Sequence, residues 1–87
     1  MVSKTLTIVN AQGFHMRPAS TFANTMMKYS SDVTLKVNGK DVNAKSLMNI
    51  ITACIKCGNE VEVVCNGADE EAALAEAAAM IESGFGE

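Results

Sequence analysis

Two periods of apolar and polar residues alternate along this chain, and each change of period marks an element. Leu6 and Ile8 alternate with Thr5 and Thr7, the spacing of a strand with one buried face. From Pro18 the period lengthens, because Ala19, Phe22, Ala23 and Met26 stand at i, i+3, i+4 and i+7 and make one helical stripe. Val33, Leu35 and Val37 then alternate with Thr34 and Lys36. Asn38-Gly39 supplies the positive-φ pair of a type I′ hairpin, which makes Lys40 to Asn43 the returning strand. A short second helix is expected from Ser46, a good N-cap, through Leu47, Ile50, Ile51 and Cys54, with Gly58 just beyond its end. Val61, Val63 and Cys65 alternate with Glu60 and Glu62 as far as Asn66-Gly67. The last helix starts near Asp69, where Glu70 and Glu71 meet the positive end of the dipole. It carries the stripe Leu74, Ala77, Ala78 and Ile81, and Gly84 closes it. This βαββαβα order predicts an α+β fold with three helices on one face of an antiparallel sheet. No linker or repeat interrupts it, so residues 1–87 read as one domain.

Composition narrows the function. With 48% apolar and 20% charged residues the chain is an ordinary globular one. Its net charge of -3, without any basic cluster, argues against nucleic acid, because nothing offers the row of phosphate contacts that supplies most of that affinity. The apolar runs fall far short of the roughly 20 residues that insert into a membrane, and the amino terminus has no apolar signal region. Three cysteines cannot all pair within one chain, which fits a reducing compartment. A cytoplasmic location is expected.

The unusual chemistry is gathered in one place. The single histidine, the single arginine and the single proline fall within four positions, in Gly13-Phe14-His15-Met16-Arg17-Pro18-Ala19. With His15 at the N-cap of the first helix, the backbone N–H groups of Met16 and Arg17 have no intrahelical acceptor and can meet an anion. Pro18 fits the first turn, although a residue before proline is pushed away from helical angles, which makes Arg17 only marginally helical. A phosphoryl group on the imidazole would face those amides, the positive helix end and the forked guanidinium of Arg17. Neutral imidazole is a competent nucleophile near neutral pH, and the phosphoramidate keeps a reactive bond for the next acceptor. A lone histidine more often does no more than cap a helix, but Gly13, Arg17 and Pro18 around this one turn the reading toward a phosphate site. By contrast, Cys54-Ile55-Lys56-Cys57 lacks the second ligand pair of a structural zinc site and does not open a helix after a strand as a redox pair should. Glu70 and Glu71 are neighbours on a helix and do not face each other, so they read as a helix start and not as an acid/base pair. No metal or cofactor is called for.

The run Asn10-Ala11-Gln12-Gly13-Phe14-His15-Met16-Arg17-Pro18-Ala19 resembles the active-site signature of HPr, the phosphocarrier family of the bacterial phosphoenolpyruvate-dependent sugar phosphotransferase system. The likeness continues through Asn38-Gly39-Lys40, Lys45-Ser46-Leu47-Met48, Gly67-Ala68-Asp69-Glu70 and Gly84-Phe85-Gly86-Glu87. The resemblance implies an open-faced β-sandwich with strand order 1-4-2-3. It also implies a relay in which His15 takes a phosphoryl group on Nδ1 from Enzyme I, Arg17 steadies it, and the sugar-specific IIA components receive it. The protein would be a phosphorylated intermediate, not an independent catalyst, and a monomer that exposes His15 to successive partners. The Ser46 segment resembles that of Gram-positive members, in which an HPr kinase/phosphorylase modifies the serine and the phosphoserine form serves a catabolite control transcription factor. A rival of another class is therefore a purely regulatory HPr-like binding module acting through Ser46, although such a protein would be expected to have lost the acceptor histidine. Met16, Ser20, Leu47, Met48 and Ile51 would form an apolar docking patch, for which flexible thioethers are well suited. Met16 stands where the family often has alanine, and Asn49, Cys54 and Cys57 where Gram-positive members commonly have glycine, glycine and lysine. These departures bear on partner preference.

Overall fold

The computed structural model describes residues 1–10 and 13–86. Ala11 and Gln12 of the histidine motif and Glu87 of the C-terminal motif lie outside the described residues. The elements are β1 (Val2–Thr7), α1 (Met16–Met26), β2 (Asp32–Val37), β3 (Lys40–Asn43), α2 (Leu47–Thr52), β4 (Glu60–Asn66) and α3 (Glu70–Glu82), followed by a 3-10 turn at Gly84–Gly86. The strands form one antiparallel sheet in the order β1-β4-β2-β3, the arrangement that the resemblance implied.

Register explains why the alternation was legible. Leu6 lies opposite Val61, Val33 opposite Cys65, and Leu35 between Val63 and Val42, so directly paired residues put the apolar set on one face. That face meets Ala19, Phe22, Ala23 and Met26 of α1 and Ala73, Ala77, Ala78 and Ile81 of α3 in a single core. Thr5, Thr7, Lys36 and Glu60 are exposed on the sheet. Each fully enclosed Leu, Val or Phe of such a core contributes about 1.5–3 kcal/mol relative to exposure. The hairpin turn is as predicted, with Asn38 at φ 51° and Gly39 at φ 76°.

Four expectations are corrected. β1 starts at Val2, before the visible alternation, because Val2, Ser3 and Lys4 pair with Cys65, Val64 and Val63 regardless of their polarity. α2 ends at Thr52 with Ala53 as C-cap, so Cys54 is not its last turn; Cys54 takes φ 55° and fills the left-handed position expected of a glycine. On α3 the buried position is Ala73, while Leu74 is only partly covered, because the small side chains Ala73, Ala77 and Ala78 let the helix sit close to the sheet. Arg17 is fully within α1 despite the proline after it.

Candidate functional site

The loop between β1 and α1 is held by its backbone. Beyond β1, Ile8 donates to the Asn59 carbonyl at 2.9 Å and accepts from Gly58 at 2.8 Å, which continues the pairing toward the loop. Gly13 donates to the Asn10 carbonyl at 3.0 Å, and Phe14 donates to the Ile55 carbonyl at 3.0 Å. Gly13 has φ 63°, and a Cβ there would stand 2.5 Å from the Ile55 oxygen and 2.7 Å from Lys56 Cα, so only glycine fits the turn and the contact. Phe14 then anchors the loop in the core, with its ring 5.4 Å from Phe22 and 4.8 Å from Phe85, both edge-on.

His15 leaves this anchored loop as the N-cap of α1, with extended backbone angles (φ -79°, ψ -175°) and no side-chain cap bond. Its carbonyl accepts from Ala19 N at 3.0 Å and opens the helix ladder. The ring is half-buried, with Nδ1 on the enclosed side. Pro18 is the third residue of α1, so its missing N–H removes no helix bond. The first turn contains no acidic residue, so no carboxylate of that turn offsets the positive helix end at which the amides of Met16 and Arg17 lie, and both side chains are exposed. The arrangement offers an imidazole, a guanidinium and helix-start amides to one anion.

Ser46 is where it was expected, as N-cap of α2, its Oγ accepting from Asn49 N at 3.3 Å. Beside it Lys45 donates from Nζ to the Tyr29 carbonyl at 2.8 Å and from its amide to Asn43 Oδ1 at 3.0 Å. Of the docking residues, Met16 and Met48 are 61% and 70% exposed, whereas Ser20, Leu47 and Ile51 are partly covered. Leu47 and Ile51 also pack on the core, so they divide their surface between core and exterior. Cys54 and Cys57 are free and exposed, and Cys65 is buried, which pushes its thiol pKa up by desolvation. Among the described residues no group of three His, Cys, Asp or Glu side chains is placed to hold a metal, and no helix is long and apolar enough to cross a membrane.

Two contributors lie in motifs that carry the resemblance but receive no role from the sequence. Phe85 completes the aromatic cluster under Phe14, and the sequence marks it by its place between two glycines in the C-terminal motif of the resemblance. Asn10 lies 5% exposed beneath the loop and donates from Nδ2 to the Gly13 carbonyl at 2.6 Å. The spacing of an amide three residues before a glycine could have pointed to it.

Comparison with known proteins agrees with this geometry. The family profile described as the PTS HPr component phosphorylation site matches residues 2–83. The phosphocarrier protein HPr of Borreliella burgdorferi is 41% identical over 83 residues, covering 95% of this chain and 96% of the relative. The HPr-like protein Crh of Bacillus subtilis is 35% identical over 82 residues, covering 94% of this chain and 96% of its own length. A crystal structure of HPr from Thermoanaerobacter tengcongensis superposes with a TM-score of 0.96 at 41% identity, covering 100% of this chain and 98% of that one. With its sheet order, its histidine-capped helix and these matches over nearly its whole length, the chain belongs to the HPr family and is a phosphocarrier of the phosphotransferase system.

Proposed function

We propose that the phosphoryl group travels on His15. A phosphohistidine of Enzyme I, charged from phosphoenolpyruvate, is the donor. The imidazole of His15 attacks phosphorus, a new P–N bond forms as the donor's P–N bond breaks, and the donor imidazole leaves with its electron pair. The second transfer, to a IIA component, runs by the same exchange. Because Nδ1 is enclosed at rest, the ring turns to present it, and the group then faces the amides of Met16 and Arg17 and the Arg17 guanidinium. Met16, Ser20, Leu47, Met48 and Ile51 receive the partners, and the protein works as a cytoplasmic monomer with residues 1–87 as one unit.

The observation that carries this reading is the N-cap histidine that makes no cap bond of its own above an acid-free first turn. Incubation with Enzyme I, phosphoenolpyruvate and magnesium, followed by intact mass and phosphorus NMR, is expected to show one acid-labile phosphate on the native chain. His15→Ala is expected to take none. Phosphate on that variant, or none on the native chain from a competent donor, overturns the proposal.

A second reading concerns Ser46, and the 35% identity to Crh, the catabolite repression HPr of Bacillus subtilis, supports a regulatory role. Ser46 is the substrate of an HPr kinase/phosphorylase, and its phosphorylated form serves a catabolite control transcription factor. Added negative charge at the start of α2 is compatible with the fold, so the modification acts on partners. Presenting the protein and ATP to that kinase is expected to place phosphate on Ser46, and phosphate elsewhere rejects this reading.

A further inference from the structure

One peptide plane leads into the histidine, and it is held at both ends. The Gly13 carbonyl and the Phe14 N–H belong to the same planar unit. Ile55 O accepts the N–H at 3.0 Å, and Asn10 Nδ2 donates to the carbonyl at 2.6 Å. Gly13 N–H is tied as well, to the Asn10 carbonyl at 3.0 Å. Asn10 thus grips Gly13 with both its backbone and its side chain. It is 5% exposed and roofed by the C-terminal turn, since a Cβ on Gly84 would lie 3.6 Å from Asn10 Cβ. Its Oδ1 is enclosed and accepts from no described residue, so the polar work this buried amide shows is the bond of Nδ2 to the Gly13 carbonyl. An apolar side chain there would leave that carbonyl without this donor.

We infer that Asn10 is a positioning residue for phosphoryl transfer, fixing through the Gly13 carbonyl the direction in which the chain enters His15. The inference rests on the His15 reading. With the carbonyl released, the Gly13–Phe14 plane is held at one end only and can rotate about its flanking bonds. The imidazole two residues on then loses its alignment with the donor phosphorus, and in-line transfer is sensitive to such displacement.

Phosphorylation by Enzyme I is measured at saturating and limiting carrier for the wild type and for Asn10→Ala, Asn10→Ser and Asn10→Asp, with urea unfolding of each. Asn10→Ala is expected to lower kcat about tenfold or more with KM changed less than about twofold, a pattern that loss of stability in a still-folded variant does not produce. Asn10→Ser keeps a donor hydroxyl and recovers part of the rate, while ionised Asn10→Asp has no donor and does not. If Asn10→Ala fails to fold, Ser against Asp decides. Equal rates for all folded variants, or an effect on KM alone, overturn the inference. A wild type that takes no phosphate on His15 sinks the relay reading instead, so the two failures are distinguishable.

Discussion

Helices α1 and α2 start on different terms. Ser46 commits its hydroxyl to its own helix through the bond from Asn49 N, whereas His15, at the same cap position and with similarly extended backbone, makes no such bond. The reason lies upstream. The start of the six-residue α2 rests on the cap and on Ile50, the one fully buried residue of that helix, with Leu47 and Ile51 only partly packed on the core. The entry to α1 is fixed from outside by Gly13 and Phe14 and from inside by Pro18, Ala19 and Phe22. A helix whose start is held by its loop does not depend on a cap bond from its N-cap side chain, and that makes a helix end compatible with the phosphate-carrying role proposed for His15. Asp69 of α3 is a third case. It makes no cap bond either, and its carboxylate instead takes the amides of Ser30 and Ser31, each at 2.9 Å, and the Ser31 hydroxyl.

The sharpest way to break the contrast is to loosen the loop. Gly13→Ala forces a Cβ to 2.5 Å from the Ile55 oxygen at a positive φ, so it should cost about 2–4 kcal/mol in urea unfolding and slow phosphorylation of His15. A loss below about 0.5 kcal/mol, within the range of neutral surface changes, would mean that the loop does not hold the helix start. Asp69 comes next, because it accepts three bonds where Ser46 accepts one. Its hydrogen bonds, that of the Ser31 hydroxyl first, hold its pKa at about 2 against an ordinary 3.8. A folded-state value below the unfolded one contributes stability that is fully present above about pH 4 and is lost as pH falls toward 2. Urea midpoints measured down that range should therefore fall, and Asp69→Asn should be less stable at neutral pH and lack this part of the decline.

The histidine end was more legible in the sequence than what supports it. Residues that bury a period-2 or period-3.6 stripe announce themselves, so the strands, α1 and the cap positions His15 and Ser46 could be placed in advance. Phe85 and the Ser31–Asp69 connection could not, because each depends on segments distant in sequence meeting in space, and Asn10, whose bonds to Gly13 are local, belongs to no apolar stripe that would mark it. Phe85 reaches Phe14 across the fold, and Asp69 reaches back to Ser31. The end of α2 was misplaced for a local reason: Cys54 looks like one more apolar helical position, and nothing in its own chemistry shows that the chain turns left-handed there. The family's common glycine at that place was the only warning.

Ser46→Ala sharpens the comparison from the other side. Removing the side-chain cap of α2 should cost about 1 kcal/mol. His15→Ala should cost less than Ser46→Ala although it abolishes the proposed relay, since His15 makes no cap bond to lose. Equal losses in the two variants would show that the histidine, too, serves as a structural cap.

The smallest expected effect is at the far end of α2. Cys54 has φ 55° and an exposed side chain, so its substitution by glycine relieves the crowding of Cβ in the left-handed region and forfeits no buried surface. Left-handed angles cost an L-residue roughly 1–2 kcal/mol, and the greater freedom of glycine in the unfolded chain takes back part of that. Cys54→Gly should therefore raise stability by about 0.5–1 kcal/mol, read as a higher urea midpoint at unchanged slope. Cys57→Ala, also exposed but outside that geometry, is the control and should move the midpoint little. If glycine brings no gain, the end of α2 carries no strain at Cys54, and the weakness of this helix resides wholly in its start, where Ser46 would then have to account for it.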